Sequence, residues 1–111
     1  MERLRVGTVV ITPFPFSDLR SRKVRPAIVL AIGDFGDLIL CQITSLKGSS
    51  KNTVELTSDS FSVGGVNKEI SFARPDKLFT ADPGVIRGIT GRISKDATSE
   101  IKSTLRRVFD L

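Results

Sequence analysis

Short apolar runs alternate along this chain with polar breaks marked by Gly, Pro, Asp or Ser. Residues 6–11 (VGTVVI) are β-branched and of strand length. TPFPFSD follows, and its two prolines end regular pairing and open a loop. PAIVLAI (26–32) is apolar at every position rather than every second one, which predicts a strand covered on both faces. Gly33–Asp37 has turn chemistry, and LILCQIT (38–44) is a second strand, so the two runs predict a hairpin. SLKGSSKN reads as a loop, TVELT (53–57) as a short strand and SVGGVNK as a turn. EISFARPDKLFT (69–80) carries a further strand, interrupted or ended near Pro75, and GVIRGITGRI (84–93) another short extended piece.

The period changes at the end. In SKDATSEIKSTLRRVFDL, Ala97, Ile101, Leu105 and Val108/Phe109 recur every three to four residues, the signature of an amphipathic helix. Ser94 stands where an N-cap belongs, and Lys102, Arg106 and Arg107 lie toward the end that suits cations. Several short strands and one terminal helix predict a mostly β fold, a small antiparallel barrel with a C-terminal helix packed against it.

Composition adds a core and a compartment. A chain of 111 residues with 40% hydrophobic content is expected to fold as a single domain over 1–111. It has no apolar run of membrane-spanning length and no signal-peptide pattern at its start, so a cytoplasmic location is expected. The single cysteine, Cys41, lies within a strand, as a small buried hydrophobe or as a reactive thiol.

Charge and missing residues narrow the chemistry. The net charge is +5, and residues 1–25 hold six Lys or Arg against two acids. The densest part, SDLRSRKVR, is either a solvated loop or a surface that attracts phosphates or an acidic protein segment. The absence of histidine removes the usual near-neutral acid or base. With one cysteine besides, ordinary zinc ligation has no donor set, so catalysis would rest on Arg, Lys, Asp, Glu, Ser or Thr.

Three places could carry that catalysis. Pro26 pushes Arg25 into an extended conformation at a strand entrance, fixing a fork of donors suited to phosphate oxygens. Arg25 could equally pair with a neighbouring carboxylate. The predicted hairpin returns Thr44 to the same end of the sheet, where its hydroxyl could share a phosphate or simply suit a strand end. Arg74-Pro75-Asp76 repeats the Arg-Pro motif and adds a carboxylate. It is a plain ion pair, or else a second phosphate clamp beside a proton acceptor.

Taken in order, GTVVITPFPFSD, KVRPAIVL, LCQITS, EIS, DKLFTAD and the terminal helix resemble the MazF/PemK toxins, the endoribonuclease halves of type II toxin–antitoxin systems. The resemblance covers nearly the whole chain and is loosest over residues 46–65. It implies an SH3-like barrel with a C-terminal helix, a homodimer with a groove for single-stranded RNA, and cleavage of mRNA with no metal or cofactor, by attack of the ribose 2′-hydroxyl on the adjacent phosphate. It implies catalytic roles for Arg25, Thr44, Arg74 and Asp76. It implies RNA contacts for Ser17, Asp18, Arg20, Lys23, Ser45, Ser71 and Lys77. A cognate antitoxin is the implied partner, and the basic N-terminal part suits an acidic, partly disordered segment of it. Two positions depart from the pattern. The loop before Arg25 lacks the histidine of some members, which leaves Asp76 or Asp18 for proton transfer, and Phe79 stands where many members have arginine. The competing readings are a nucleic-acid-binding homologue without catalysis and a toxin of the same fold that poisons a protein target such as DNA gyrase.

Overall fold

The computed structural model describes residues 4–14 and 23–111. In chain order its elements are β1 (Thr8–Pro13), β2 (Val24–Ile32), β3 (Leu38–Thr44), β4 (Val54–Leu56), β5 (Phe61–Gly64), β6 (Ser71–Ala81), β7 (Gly88–Ile93) and α1 (Lys95–Val108). The strands form one seven-stranded sheet in the order β4-β6-β3-β2-β1-β7-β5, with antiparallel pairing throughout. Register shifts interrupt four of these ladders, and such bulges add the twist that curls a sheet toward closure. The result is the expected small antiparallel barrel, nearly closed, with one helix at its C-terminal end.

The continuous apolarity of β2 has a direct cause. Ile28 enters one core with Val9, Cys41, Ile43 and Ala73, against which α1 lays Ala97 and Ile101. Its neighbours Ala27 and Val29 point the other way, into a second core with Val10, Phe14, Leu38 and Leu40. Both faces of the strand are dry over residues 27–29, although Ile32 at its end is 44% exposed. Each large side chain so buried contributes about 1.5–3 kcal/mol. The turn at 33–37 joins β2 to β3 through the Gly33 N–H to Asp37 carbonyl hydrogen bond at 2.8 Å, giving the predicted hairpin.

The helix starts as its sequence requires, with the Ser94 Oγ accepting from the Ala97 N–H at 3.1 Å. Its buried face is Ala97, Ile101 and Thr104 rather than the fully apolar stripe. Thr104 is admitted because its hydroxyl donates to the Glu100 carbonyl at 3.0 Å, while Phe109 is left exposed. No helix among the described residues is long and apolar enough to cross a membrane.

Two segments sharpen or change the sequence reading. Of the interruption or end expected at Pro75, β6 shows the interruption and continues beyond it. Cys41 pairs with Leu78 and Gln42 with Arg74, so four residues of β6 span one step of β3, and the missing proline N–H falls inside this bulge. Residues 61–64, part of which read as a turn, form β5 against β7. Gly64 has φ +63°, and a Cβ added there would collide with the Thr90 carbonyl. The glycine thus marks a close crossing of two strands.

Candidate functional site

The pairing of β2 with β3 sets the site. Ala27 stands opposite Gln42, and continuing that register by two residues brings Arg25 alongside Thr44. Residues directly opposite across antiparallel strands share a face. Arg25 is exposed, and its guanidinium has no ion-pair or hydrogen-bond partner among the described residues. The carboxylate that could have occupied it is absent there. Thr44 is held by the opposite logic: its Oγ1 accepts from the Leu46 N–H at 3.2 Å. That bond fixes the hydroxyl and leaves its proton available to a ligand oxygen.

A cavity of about 500 Å³ opens at this end of the sheet, and Arg25, Thr44, Ser45 and Ser71 all line it. Ser71 is buried on β6, on the face opposite to Phe72 and Arg74. Four of the site residues expected from sequence therefore meet around one space, although they come from three strands and a loop.

Arg74 and Asp76 stand elsewhere. They pair with each other through two bonds, Nε to Oδ1 at 3.3 Å and Nη2 to Oδ2 at 2.9 Å, with about a quarter of each side chain exposed. Arg74 lies opposite Gln42, one same-face pair along from Thr44 and Phe72, so the ion pair flanks Thr44 on the sheet without lining the cavity. Lys23 precedes β2 on the surface, and Lys77 is half-buried in the β6 bulge; neither lines the cavity. Ser17, Asp18 and Arg20 lie outside the described residues.

Cys41 is fully buried, and desolvation pushes its thiol up to about 12, outweighing the Arg74 backbone hydrogen bond that acts the other way. The nearby Asp76 charge pushes in the same direction as burial. A thiol so placed stays protonated at neutral pH and serves as a small core residue.

Sequence reading missed other residues. Gln42 is 7% exposed, and its Oε1 is buried without a hydrogen-bond partner, on the face that carries Thr44 and Arg74. The signal was visible as the one polar position inside LILCQI. Asn67, Lys68 and Thr90 also line the cavity, contributed by a loop and a strand that nothing in the local sequence connects to Arg25. An unpaired guanidinium, a fixed hydroxyl and a further lysine around a partly apolar space can hold an anion attached to an organic body.

The family described as PemK-like, MazF-like toxin of type II toxin–antitoxin system matches residues 5–109. No relative among curated proteins matches the sequence. Among solved structures, an endoribonuclease in complex with its cognate antitoxin, from a mycobacterial species, superposes with a TM-score of 0.73 at 12% identity, covering 100% of this chain and 97% of that one. MazF from Deinococcus radiodurans gives 0.73 at 20% identity over 96% of each chain. The Mycobacterium tuberculosis toxin MazF-mt6 gives 0.73 at 17% identity, over 94% of this chain and 97% of that one. At such identities the structures speak for a shared fold, and the family match speaks for descent. This chain belongs to the PemK-like, MazF-like toxins of type II toxin–antitoxin systems.

Proposed function

We propose that the protein, as one domain over residues 1–111, is the endoribonuclease toxin of its pair, cutting single-stranded mRNA and so stopping translation and growth. The observation that carries this reading is the Arg25 guanidinium, without a partner among the described residues, beside the Thr44 hydroxyl on one cavity. RNA brings its own nucleophile. The 2′-hydroxyl oxygen attacks the adjacent phosphorus, the bond to the 5′-oxygen breaks as that oxygen takes a proton from water, and the products are a 2′,3′-cyclic phosphate and a 5′-hydroxyl. Arg25 and Thr44 bind the non-bridging oxygens and stabilise the phosphorane charge without titrating. Ser45 and Ser71 add hydroxyl donors at the same wall. Arg74 reinforces the field from the adjacent strand. Asp76, or Asp18 from the N-terminal loop, takes the nucleophile's proton. Ser17, Arg20, Lys23 and Lys77 guide the RNA backbone.

The toxin works in the cytoplasm as a homodimer, and an acidic antitoxin segment occupies its basic surface until released. The solved mycobacterial endoribonuclease bound to its cognate antitoxin supports the last point by likeness of fold. The test is incubation of a defined RNA with the purified protein in EDTA, followed by mapping of the ends. Cyclic-phosphate and 5′-hydroxyl termini are expected. RNA left intact would overturn the nuclease reading in favour of a protein target or a binding role.

A further inference from the structure

Gln42 stands within β3 with a carbonyl oxygen, Oε1, that is buried and has no hydrogen-bond partner. Such a group costs stability, and an apolar side chain of similar volume would fill the same space without that cost. Its neighbours on the sheet show what the oxygen can serve. On the β2 side it faces Ala27, a methyl group with nothing to donate. On the β6 side it faces Arg74, and residues directly opposite in an antiparallel pair have Cβ atoms about 4.5–5.5 Å apart. The nearest donor-rich side chain across the ladder is therefore the one that already holds Asp76.

Arg74 gives Asp76 two of its five N–H donors, one from Nε and one from Nη2, and three remain for other acceptors. The pair is built on the β6 bulge. Cys41 stands opposite Leu78 and Gln42 opposite Arg74, so Pro75, Asp76 and Lys77 lie outside the ladder. Bulges recur beside active sites because they re-aim a side chain. Here the bulge holds Asp76 over the step of β3 that ends at Gln42. In this state both Asp76 oxygens are turned to Arg74 and the two charges cancel. A proton acceptor so occupied, and a cation so neutralised, have little to offer a phosphate.

We propose that Gln42 is a positioning residue, the second acceptor for Arg74. When an RNA phosphate arrives, the Arg74 guanidinium turns from Asp76 to donate to Gln42 Oε1, and Asp76 is released to accept the proton of the nucleophile. The inference rests on the nuclease reading above and adds a step to it. The phosphate supplies the bias, because a guanidinium bonded to a neutral oxygen keeps its charge for the anion and one bonded to Asp76 does not. Gln42 itself touches no RNA in this scheme, since it is 7% exposed and does not line the cavity. It acts through Arg74, and its unpaired oxygen is what makes the move possible.

The tests use the intact protein. In single-turnover cleavage in EDTA, Gln42→Leu should lower the rate at least about fivefold, as loss of one hydrogen bond to a charged group does, and leave RNA affinity unchanged. Gln42→Glu keeps an acceptor in place and should restore most of that rate. In an Arg74→Ala background the Gln42→Leu change should cost nothing further, because no guanidinium remains to be placed. A DNA copy of the same RNA has no 2′-hydroxyl and cannot be cut. Adding it should move the Arg74 Nε–H resonance in wild type, and Gln42→Leu should abolish that movement. A smaller loss of rate, an equal loss with and without Arg74, or a resonance that stays put in wild type or moves alike in both proteins would overturn the role of Gln42 and leave the nuclease reading intact. Gln42→Leu melting below wild type would show the oxygen already bonded and would also overturn it. RNA left uncut by wild type would overturn the nuclease reading, and the Arg74 resonance would then decide alone whether Gln42 receives that side chain.

Discussion

Replacing Arg25 should separate stability from activity. The side chain is exposed and makes no ion pair or hydrogen bond among the described residues. Truncating it removes no packing and strands no partner, so Arg25→Ala should alter stability by no more than about 0.5 kcal/mol. For a domain of this size that is a melting shift of at most about 4 °C. The effect on cleavage should be far larger. A single preorganised donor to a developing anion is worth about 10²–10³ in kcat, or roughly 2.7–4 kcal/mol of transition-state stabilisation. Arg25→Lys keeps the charge but loses the two-point fork, and it should fall between wild type and alanine.

The assay is single-turnover cleavage of a defined end-labelled RNA in EDTA, with protein in excess so that weakened binding does not masquerade as slow chemistry. Melting curves of the same preparations run alongside. If Arg25→Ala cut the RNA within tenfold of the wild-type rate, the phosphate-clamp role would be refuted. If it melted 10 °C or more below wild type, the exposed and unpartnered placement would be refuted instead.

Two further outcomes follow from buried groups. Gln42→Leu removes a carbonyl oxygen that is buried without a partner, and relieving such a group is worth about 1–3 kcal/mol. The variant should melt several degrees higher, and a melting temperature below wild type would mean that the oxygen is bonded in solution. Cys41 is raised from 9.0 to about 12 in the folded chain, so between those values the unfolded chain has lost a proton that the native state keeps. Stability contributed by the protonated thiol is therefore present below pH 9 and drains as pH rises toward 12, roughly 1 kcal/mol of it by pH 10. Cys41→Ala should show a smaller drop in melting temperature between pH 8 and pH 10 than wild type, and identical drops would refute the assignment.

Features set by local pattern are legible in the sequence alone. The unbroken apolarity of PAIVLAI predicts a strand dry on both faces, and Ile28 and Val29 do enter different cores. The three-to-four period after Ser94 predicts α1 and its cap. Features that depend on a distant partner are not legible there. Pro75 reads as either an interruption or an end of the strand, because only β3, across the ladder, reveals the bulge that accommodates it. Gly64 reads as a turn residue because its requirement comes from Thr90 and Gly91, more than twenty residues away. Arg25 and Thr44 can be brought together from sequence because a five-residue turn joins their strands. Asn67 and Thr90 cannot, since their meeting depends on closure of the whole sheet.

The same division explains why the site can be both exact in geometry and open in composition. Shifting β2 against β3 by one residue would turn Ile28 toward the second core and Ala27 and Val29 toward the first. Several side chains would then be misplaced, at about 1.5–3 kcal/mol each, more than any rim contact supplies. Burial thus fixes the register, and the register continues past Ala27 and Gln42 to bring Arg25 alongside Thr44. Arg25 and Thr44 are aligned by residues buried in the two cores. The loop over residues 65–70 stands outside both ladders, and within it only Val66 packs against a core. Its other positions can therefore vary without loosening the barrel that holds Arg25 and Thr44 in register.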